Sequence, residues 1–440
     1  MASLRIRNAT ILTMNDARDV IEGDVVVEDG RIVAVGKVPD APAAKVIDAR
    51  GGYLLPGFVQ THVHLCQTLF RGWADDRALL PWLRDRVWPM EAAHTPASLA
   101  AAARLAALEL LAGGTTTVLT METVRDTDAV FEALEPIGLR AIIGKCLMDA
   151  DGEAPARLIE TTSAAVDESL ALAARWHGRA GGRLGAALAP RFALSCSREL
   201  LEAVAALSSD RRLLVHSHAS ENRDEVALVR RRTGLANVAY FHAVGLASPR
   251  LCLAHCVWVD DAEQALLAEH DVKVLHCPGS NLKLGSGIAP VAALRARGVA
   301  VSLGADGAAC NNRLDMFEEM RLAAVLQATT AGPGALPARE VVAMATREGA
   351  RALGRLDDLG TIEVGKRADL IVIDRDRPHH LPGPDPYSTI VYAARATDVR
   401  TTVVDGHVLV DEFRSTRLDA AAVADEARRE AGALARRAGV

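Results

Sequence analysis

The chain is 440 residues long, enough to bury a large core and to form one big domain beside a smaller one. Half of it is hydrophobic and 24% is charged, with glycine and proline scattered rather than periodic, so collagen-like, coiled-coil and disordered chains are excluded. Fifty lysines and arginines against 56 acidic residues leave a formal charge of −6, without the basic excess that a nucleic-acid partner needs.

The N-terminal part reads as short strands, Arg5 to Thr13, Asp24 to Val27 and Ile32 to Val35, with Asp29-Gly30 as a hairpin turn. No apolar signal core with a cleavage site opens the chain. The most apolar long stretch, Leu99 to Ala112, is broken by Arg104 and Glu109 and is too short to span a bilayer. It reads as a helix opened by Thr95-Pro96 and closed by Gly113-Gly114.

From Phe58 onward, apolar strand-like runs alternate with alanine- and leucine-rich helical stretches. The runs are Phe58 to His64, Thr115 to Met121, Arg140 to Met148, Leu184 to Ala193, Arg212 to His218, Leu251 to His255, Val272 to His276 and Val299 to Asp306. Eight such βα units specify a barrel. Asp369 to Asp374, Thr401 to Val404 and Val408 to Val410, with Asp405-Gly406 as a turn, return to the β-rich texture, and the chain from Leu418 onward reads as a solvent-facing helix. The expected fold class is α/β, a (β/α)8 TIM barrel with a small β-sandwich domain built from both ends of the chain. Residues 1–56 and 359–412 are expected to form the sandwich, 57–358 the barrel and 413–440 the terminal helix. The seven cysteines are odd in number, dispersed and often inside apolar runs, which reads as reduced, buried thiols in a cytoplasmic protein.

Several runs end in or next to a polar residue: His64, Glu122, Arg191, His218, His255, His276 and Asp306. At the carboxyl ends of parallel barrel strands such residues point into one shared mouth. His62 and His64 are separated by one residue, so on a regular strand they emerge on the same face. A lone pair of this kind is a weak metal signal; His218, His255 and Asp306 strengthen it. Imidazole nitrogens with one carboxylate suit Zn2+ and are accepted by Fe2+. Glu221 lies three residues past His218 and, if the chain turns helical there, reaches water at the ion without binding the ion, as a proton shuttle does.

Other residues read more plainly. His216 lies a layer deeper than His218 and reads as a hydrogen-bonded histidine of the core or behind the ligands rather than as a fifth ligand. His276 is open between substrate contact and packing. His94, His177, His242, His270, His379, His380 and His407 read as solvated or capping. Lys145 reads as structural. Trp73, Trp82 and Trp88 either roof a ring-shaped ligand or pack in the core. No CxxC pair exists, which argues against the cytidine-deaminase type of zinc site.

The carrying motifs are Pro56-Gly57-Phe58-Val59-Gln60-Thr61-His62-Val63-His64, His218 with Glu221, Ala254-His255, His276-Cys277-Pro278 with Ser280-Asn281, Gly304-Ala305-Asp306, and the stretch from Gly360 to Leu370. Together they resemble the amidohydrolase superfamily over nearly the whole chain. Within it the likeness is to the cytosine-deaminase-like aminohydrolases, the branch of guanine deaminases, adenosylhomocysteine and 5′-deoxyadenosine deaminases and s-triazine hydrolases.

The resemblance implies one divalent metal ion, usually zinc, on His62, His64, His218 and Asp306, with Glu221 and His255 as a second catalytic pair. Two-metal relatives carry a bridging modified lysine at the end of the fourth strand, where this chain has Arg191, which implies a single ion. In the implied reaction activated water attacks the ring carbon bearing an amino group and ammonia leaves. Asp306 takes the water's proton, Glu221 protonates the adjacent ring nitrogen and His255 holds the attacking oxygen.

Gln67 and Arg191 resemble the pair that grips the purine in guanine deaminases. Glu91 resembles the glutamate that holds ribose hydroxyls in adenosylhomocysteine deaminases, and guanine deaminases carry one there too. The ring therefore stays open between a guanine-like base and an adenosine-derived nucleoside such as 5′-deoxyadenosine or S-adenosylhomocysteine. An s-triazine or other heterocycle amino- or chlorohydrolase is the alternative within the class; a catalytically silent barrel scaffold, which should have lost ligands or the shuttle acid, is the alternative outside it. The expected partner is a small heteroaromatic molecule, with no nucleic acid and no membrane; oligomeric state is left open, a homo-oligomer included.

Overall fold

Eight parallel strands stand side by side in sequence order: β1 (Phe58–His64), β2 (Thr115–Met121), β3 (Arg140–Leu147), β4 (Leu184–Pro190), β5 (Val215–Ala219), β6 (Leu251–His255), β7 (Lys273–His276) and β8 (Val301–Leu303). The structure is a computed structural model and describes residues 2–39, 42–150 and 152–440. Helices cover the outer face of the strands, so both faces are buried and the strands read as continuous apolar runs rather than as alternation.

The last strand departs from the straight run expected from Val299 to Asp306. After Leu303 the chain bends at Gly304, where a side chain would stand 2.5 Å from the His62 carbonyl oxygen. Asp306–Gly307 then pairs in parallel with β1, opposite Val63 and His64. This bend closes the ring and carries Asp306 to the histidines of β1. The fourth run also stops earlier than expected, at Pro190, leaving Arg191 in the loop just past the strand.

Both ends of the chain meet in a nine-stranded mixed sheet. Its middle is the antiparallel pair Tyr53–Pro56 and Leu370–Ile373, with Ala2–Leu12, Val20–Glu28 and Arg31–Gly36 on one side and Val399–Val404 and His407–Asp411 on the other. The Asp29-Gly30 turn forms as expected, both residues taking positive φ of 49° and 75°. Arg140, fully buried at the start of β3, clamps the barrel to this sheet through a bidentate pair with Asp369 at 2.7 and 3.0 Å.

Two expectations are corrected. The terminal helix, Ala420–Ala438, is not simply solvent-facing: Val423, Ala427, Leu434 and Ala435 recur on one face and are buried, and Glu426 pairs with Arg104 of the helix Pro96–Ala112. His94 and His380 are buried rather than solvated; His94 bonds the Ser98 hydroxyl at 2.8 Å and the Cys66 carbonyl at 3.1 Å. All seven cysteines are free and buried. Among the described residues no single helix is long and apolar enough to cross a membrane.

Candidate active site

The ends of β1, β5, β6 and the segment after β8 converge at the carboxyl-terminal mouth of the barrel. His62 and His64 leave the same face of β1, their rings 4.9 Å apart between centroids. His218 comes from β5 and His255 from the last residue of β6. Backbone strain accompanies the convergence: Ser220, His255 and Asp306 hold φ of +53°, +74° and +62°. Non-glycine residues in this region cost roughly 1–3 kcal/mol each, a strain that collects where side-chain direction matters.

Each of the three imidazoles expected to hold an ion spends its Nδ1 on the protein. His62 Nδ1 shares a 2.6 Å hydrogen bond with His216 Nε2; His64 and His218 donate theirs to the carbonyls of Met121 and Arg191, both at 2.7 Å. This leaves every Nε2 turned inward. His64 and His218 face each other Nε2 to Nε2 at 3.3 Å, and Asp306 Oδ1 lies 3.2 Å from the Nε2 atoms of both His62 and His64. His62 Nε2 and His255 Nε2 are buried and make no hydrogen bond. Donors about 2.0–2.1 Å from one tetrahedral ion stand roughly 3.3 Å from each other, so these side chains fit a divalent metal.

The charge states of His62, His218 and Asp306 fit as well; burial works to lower His64, but the Asp306 carboxylate beside it prevails and raises it, favouring a proton that a bound ion would displace. Burial holds His62 down at about 4 and His218 well below the usual imidazole range, so both offer a free lone pair. Burial works to raise Asp306, but His62 and His64 beside it prevail and keep it well below the ordinary carboxylate range. Neutral imidazoles and an ionised carboxylate are the forms a metal binds.

Glu221 follows β5 through the Ser220 turn. Its Oε2 is 3.4 Å from His255 Nε2 and its Oε1 accepts from the Ser286 hydroxyl at 3.4 Å; burial raises its pKa above the ordinary range. Two consecutive residues after β7 orient the others: the Ser280 hydroxyl donates to Asp306 Oδ2 at 2.6 Å, and Asn281 Oδ1 accepts from His255 Nδ1 at 2.8 Å. Ser280 and Asn281 were visible in the sequence only as part of a motif.

A cavity opens on this centre. Leu79, Trp82 and Leu83 wall it from one side, Phe192 and Leu284 from others, and His64, His218, Glu221, His255 and Asp306 form its polar end. Of the three tryptophans, Trp82 lines it, Trp73 is 40% exposed and Trp88 packs in the core. His276 is fully buried, lies off the cavity wall and has no hydrogen-bond partner at either nitrogen.

Gln67 and Arg191 reach the cavity. Glu91 does not open on it and is joined to both: Arg191 grips its carboxylate with Nη1 at 2.5 Å and Nη2 at 3.2 Å, and Gln67 Nε2 donates to Oε1 at 3.0 Å. Gln67 Oε1 is buried and free. Lys145 pairs with buried Glu160, a structural role as expected.

The sequence model of the amidohydrolase family matches residues 53–409. The chain is 41% identical over 440 residues, the full length of both proteins, to the 5′-deoxyadenosine deaminase of Methanosarcina acetivorans. It is 42% identical over 421 residues, 94% of each protein, to the 5-methylthioadenosine/S-adenosylhomocysteine deaminase of Symbiobacterium thermophilum. Among solved structures, an adenosine deaminase from Xanthomonas campestris with bound zinc superposes with a TM-score of 0.90 at 34% identity, over 98% of each chain. The strand-end histidines, the aspartate after β8 and these likenesses over the whole chain agree: it belongs to the amidohydrolase family.

Proposed function

We propose that the protein is a metal-dependent hydrolytic deaminase that releases ammonia from the exocyclic amino group of a purine-type ring. The observation that carries this reading is the convergence of three Nε2 atoms and Asp306 Oδ1 beside a buried carboxyl at the end of the cavity. His62, His64, His218 and Asp306 would hold one divalent ion, zinc for preference. Such an ion, when bound, acidifies water toward neutral pH.

The chain's own residues supply the rest. Asp306 Oδ2, 3.9 Å from His255 Nε2 and fixed by Ser280, accepts the proton of the attacking water. His255, held by Asn281, presents Nε2 to the attacking oxygen. Glu221, raised by burial, carries a proton at a higher pH than a solvated glutamate and passes it to the ring nitrogen next to the reacting carbon. The proton held by Asp306 then passes to the exocyclic nitrogen, the C–N bond breaks and ammonia leaves, while the new hydroxyl on the ring carbon returns its proton to Glu221 and becomes a carbonyl. The apolar walls of Leu79, Trp82 and Phe192 clasp the ring faces and exclude bulk water.

Full-length likeness to 5′-deoxyadenosine and S-adenosylhomocysteine deaminases favours an adenosine-derived nucleoside. One observation favours a guanine-like base: Arg191 at the cavity wall brings donors, and Gln67 Oε1 brings an unused acceptor, which together match a ring carbonyl beside a ring N–H. Turnover of a panel of both kinds separates them. The seven free, buried thiols suit the cytoplasm. Glu221→Gln tests the mechanism: metal content should stay at the wild-type level while ammonia release falls about 10²- to 10⁴-fold. Retained turnover removes Glu221 as the acid.

A further inference from the structure

One buried acid at the cavity has no part in that mechanism. Glu225 stands in the first turn of the helix Arg223–Thr233, 2% exposed, and lines the cavity together with Glu221. Its Oε2 accepts the backbone N–H of Glu221 at 2.9 Å, and its Oε1 is bonded to the side-chain amide of Asn237. The Glu221 N–H lies just ahead of the helix, whose N-cap is Asn222, so no helical hydrogen bond can serve it. The left-handed Ser220 before it turns the chain away from β5 as well. Glu225 is thus the tie between the turn that carries Glu221 and the next helix, Asn237–Ala243.

We propose that Glu225 is a positioning residue for the catalytic acid: by capping the Glu221 N–H and bonding Asn237 it fixes the turn after β5 and the direction in which the Glu221 carboxyl meets the ring. This rests on Glu221 being the acid.

Burial, with the Glu221 carboxyl nearby, pushes Glu225 up to about 8. At neutral pH it is mostly a carboxylic acid, with one oxygen to accept the Glu221 N–H and one O–H to donate. The matching acceptor is at hand: Asn237 Oδ1 is buried without a partner, and a half-turn of that amide sets it against Glu225. A neutral Glu225 also places no second negative charge beside Glu221. Glutamine reproduces this pattern, its carbonyl taking the Glu221 N–H and its amide donating to Asn237. Alanine leaves the N–H uncapped.

The test compares metal-loaded, full-length Glu225→Gln, Glu225→Ala, Asn237→Ala and Glu221→Gln by kcat, KM, bound metal and thermal midpoint. Glu225→Gln is expected to keep kcat within about threefold, and Glu225→Ala to lose about 10- to 100-fold in kcat with KM and metal content little changed, the size that small misplacement of a reacting group produces. Asn237→Ala, which leaves the cap unanchored, is expected to lose about three- to tenfold and guards against a Glu225→Ala protein that does not fold. Wild-type kcat in Glu225→Ala or Asn237→Ala, or a Glu225→Gln protein as impaired as Glu225→Ala, overturns the proposal while leaving Glu221 in its role. Full activity in Glu221→Gln overturns both.

Discussion

Removing the Glu91 carboxylate should expose how much of the cavity wall depends on one buried ion pair. The Arg191 guanidinium is 4% exposed and its two amino groups lie 2.5 and 3.2 Å from Glu91. The other polar group in its reach, Cys146 Sγ at 3.9 Å, is a thiol that burial pushes up to about 12, so it supplies no negative charge. Glu91→Ala therefore strands a cation in the interior, at a cost of about 3–5 kcal/mol. At about 2.1 cal/mol/K per residue, a 440-residue chain melting as one unit gains roughly 0.9 kcal/mol/K on unfolding, so the midpoint should fall by about 3–5 °C. Replacing both partners, Glu91→Leu with Arg191→Met, removes the stranded charge and should recover most of the loss. Its metal should stay bound, because His218 is held by the Arg191 backbone carbonyl and not by the side chain. Scanning calorimetry with zinc in excess reads all three proteins. A Glu91→Ala midpoint within about 1 °C of wild type, or a double variant less stable than the single one, refutes the reasoning.

His216→Phe takes away the partner of His62 Nδ1 and should weaken metal binding about 10- to 100-fold in a chelator competition, with the cavity otherwise intact; unchanged affinity contradicts the role given to that 2.6 Å bond. His94 is held neutral, burial bringing it from 6.5 down to about 4. The unfolded chain takes up this proton near pH 6.5 and the folded chain only near pH 4, so the stability His94 contributes is complete above about pH 6.5 and drains away as pH falls toward about 4. His94→Gln should flatten the dependence of the thermal midpoint on pH across that window, and an unaltered slope counts against it.

Much of this could be read from the residues because barrel strands buried on both faces leave an unbroken apolar signature. The strand-end histidines stood out against it: His62 and His64 by their spacing, His218 and His255 by their places at the ends of runs. What could not be read depended on contacts between distant parts of the chain. The bend that takes Asp306 across to β1 comes from Gly304 lying against the His62 backbone, which no local pattern reveals. The helices from Leu79 to Ala92 that wall the cavity contain Pro81 and Pro89 and show no clean period, so they were not assigned as elements. Glu91 and Arg191, 100 positions apart, could each be likened to a substrate contact, but their pairing with each other appears only in three dimensions. Asn222 followed three residues later by Glu225 has the spacing of a helix start, yet that the glutamate also reaches back to the Glu221 N–H depends on the Ser220 turn. The apolar stripe of the terminal helix was present at Val423, Ala427 and Leu434 but diluted by alanine and arginine.

The most direct measurement follows metal content and ammonia release on the same sample, before and after chelation and after zinc is returned, with 5′-deoxyadenosine, S-adenosylhomocysteine, adenosine and guanine as substrates. One ion per chain, ammonia from at least one of these rings, loss of that release on chelation and its return with zinc are the predicted results. Undiminished turnover by metal-free protein, or a fully loaded enzyme that frees no ammonia from any of them, contradicts the account.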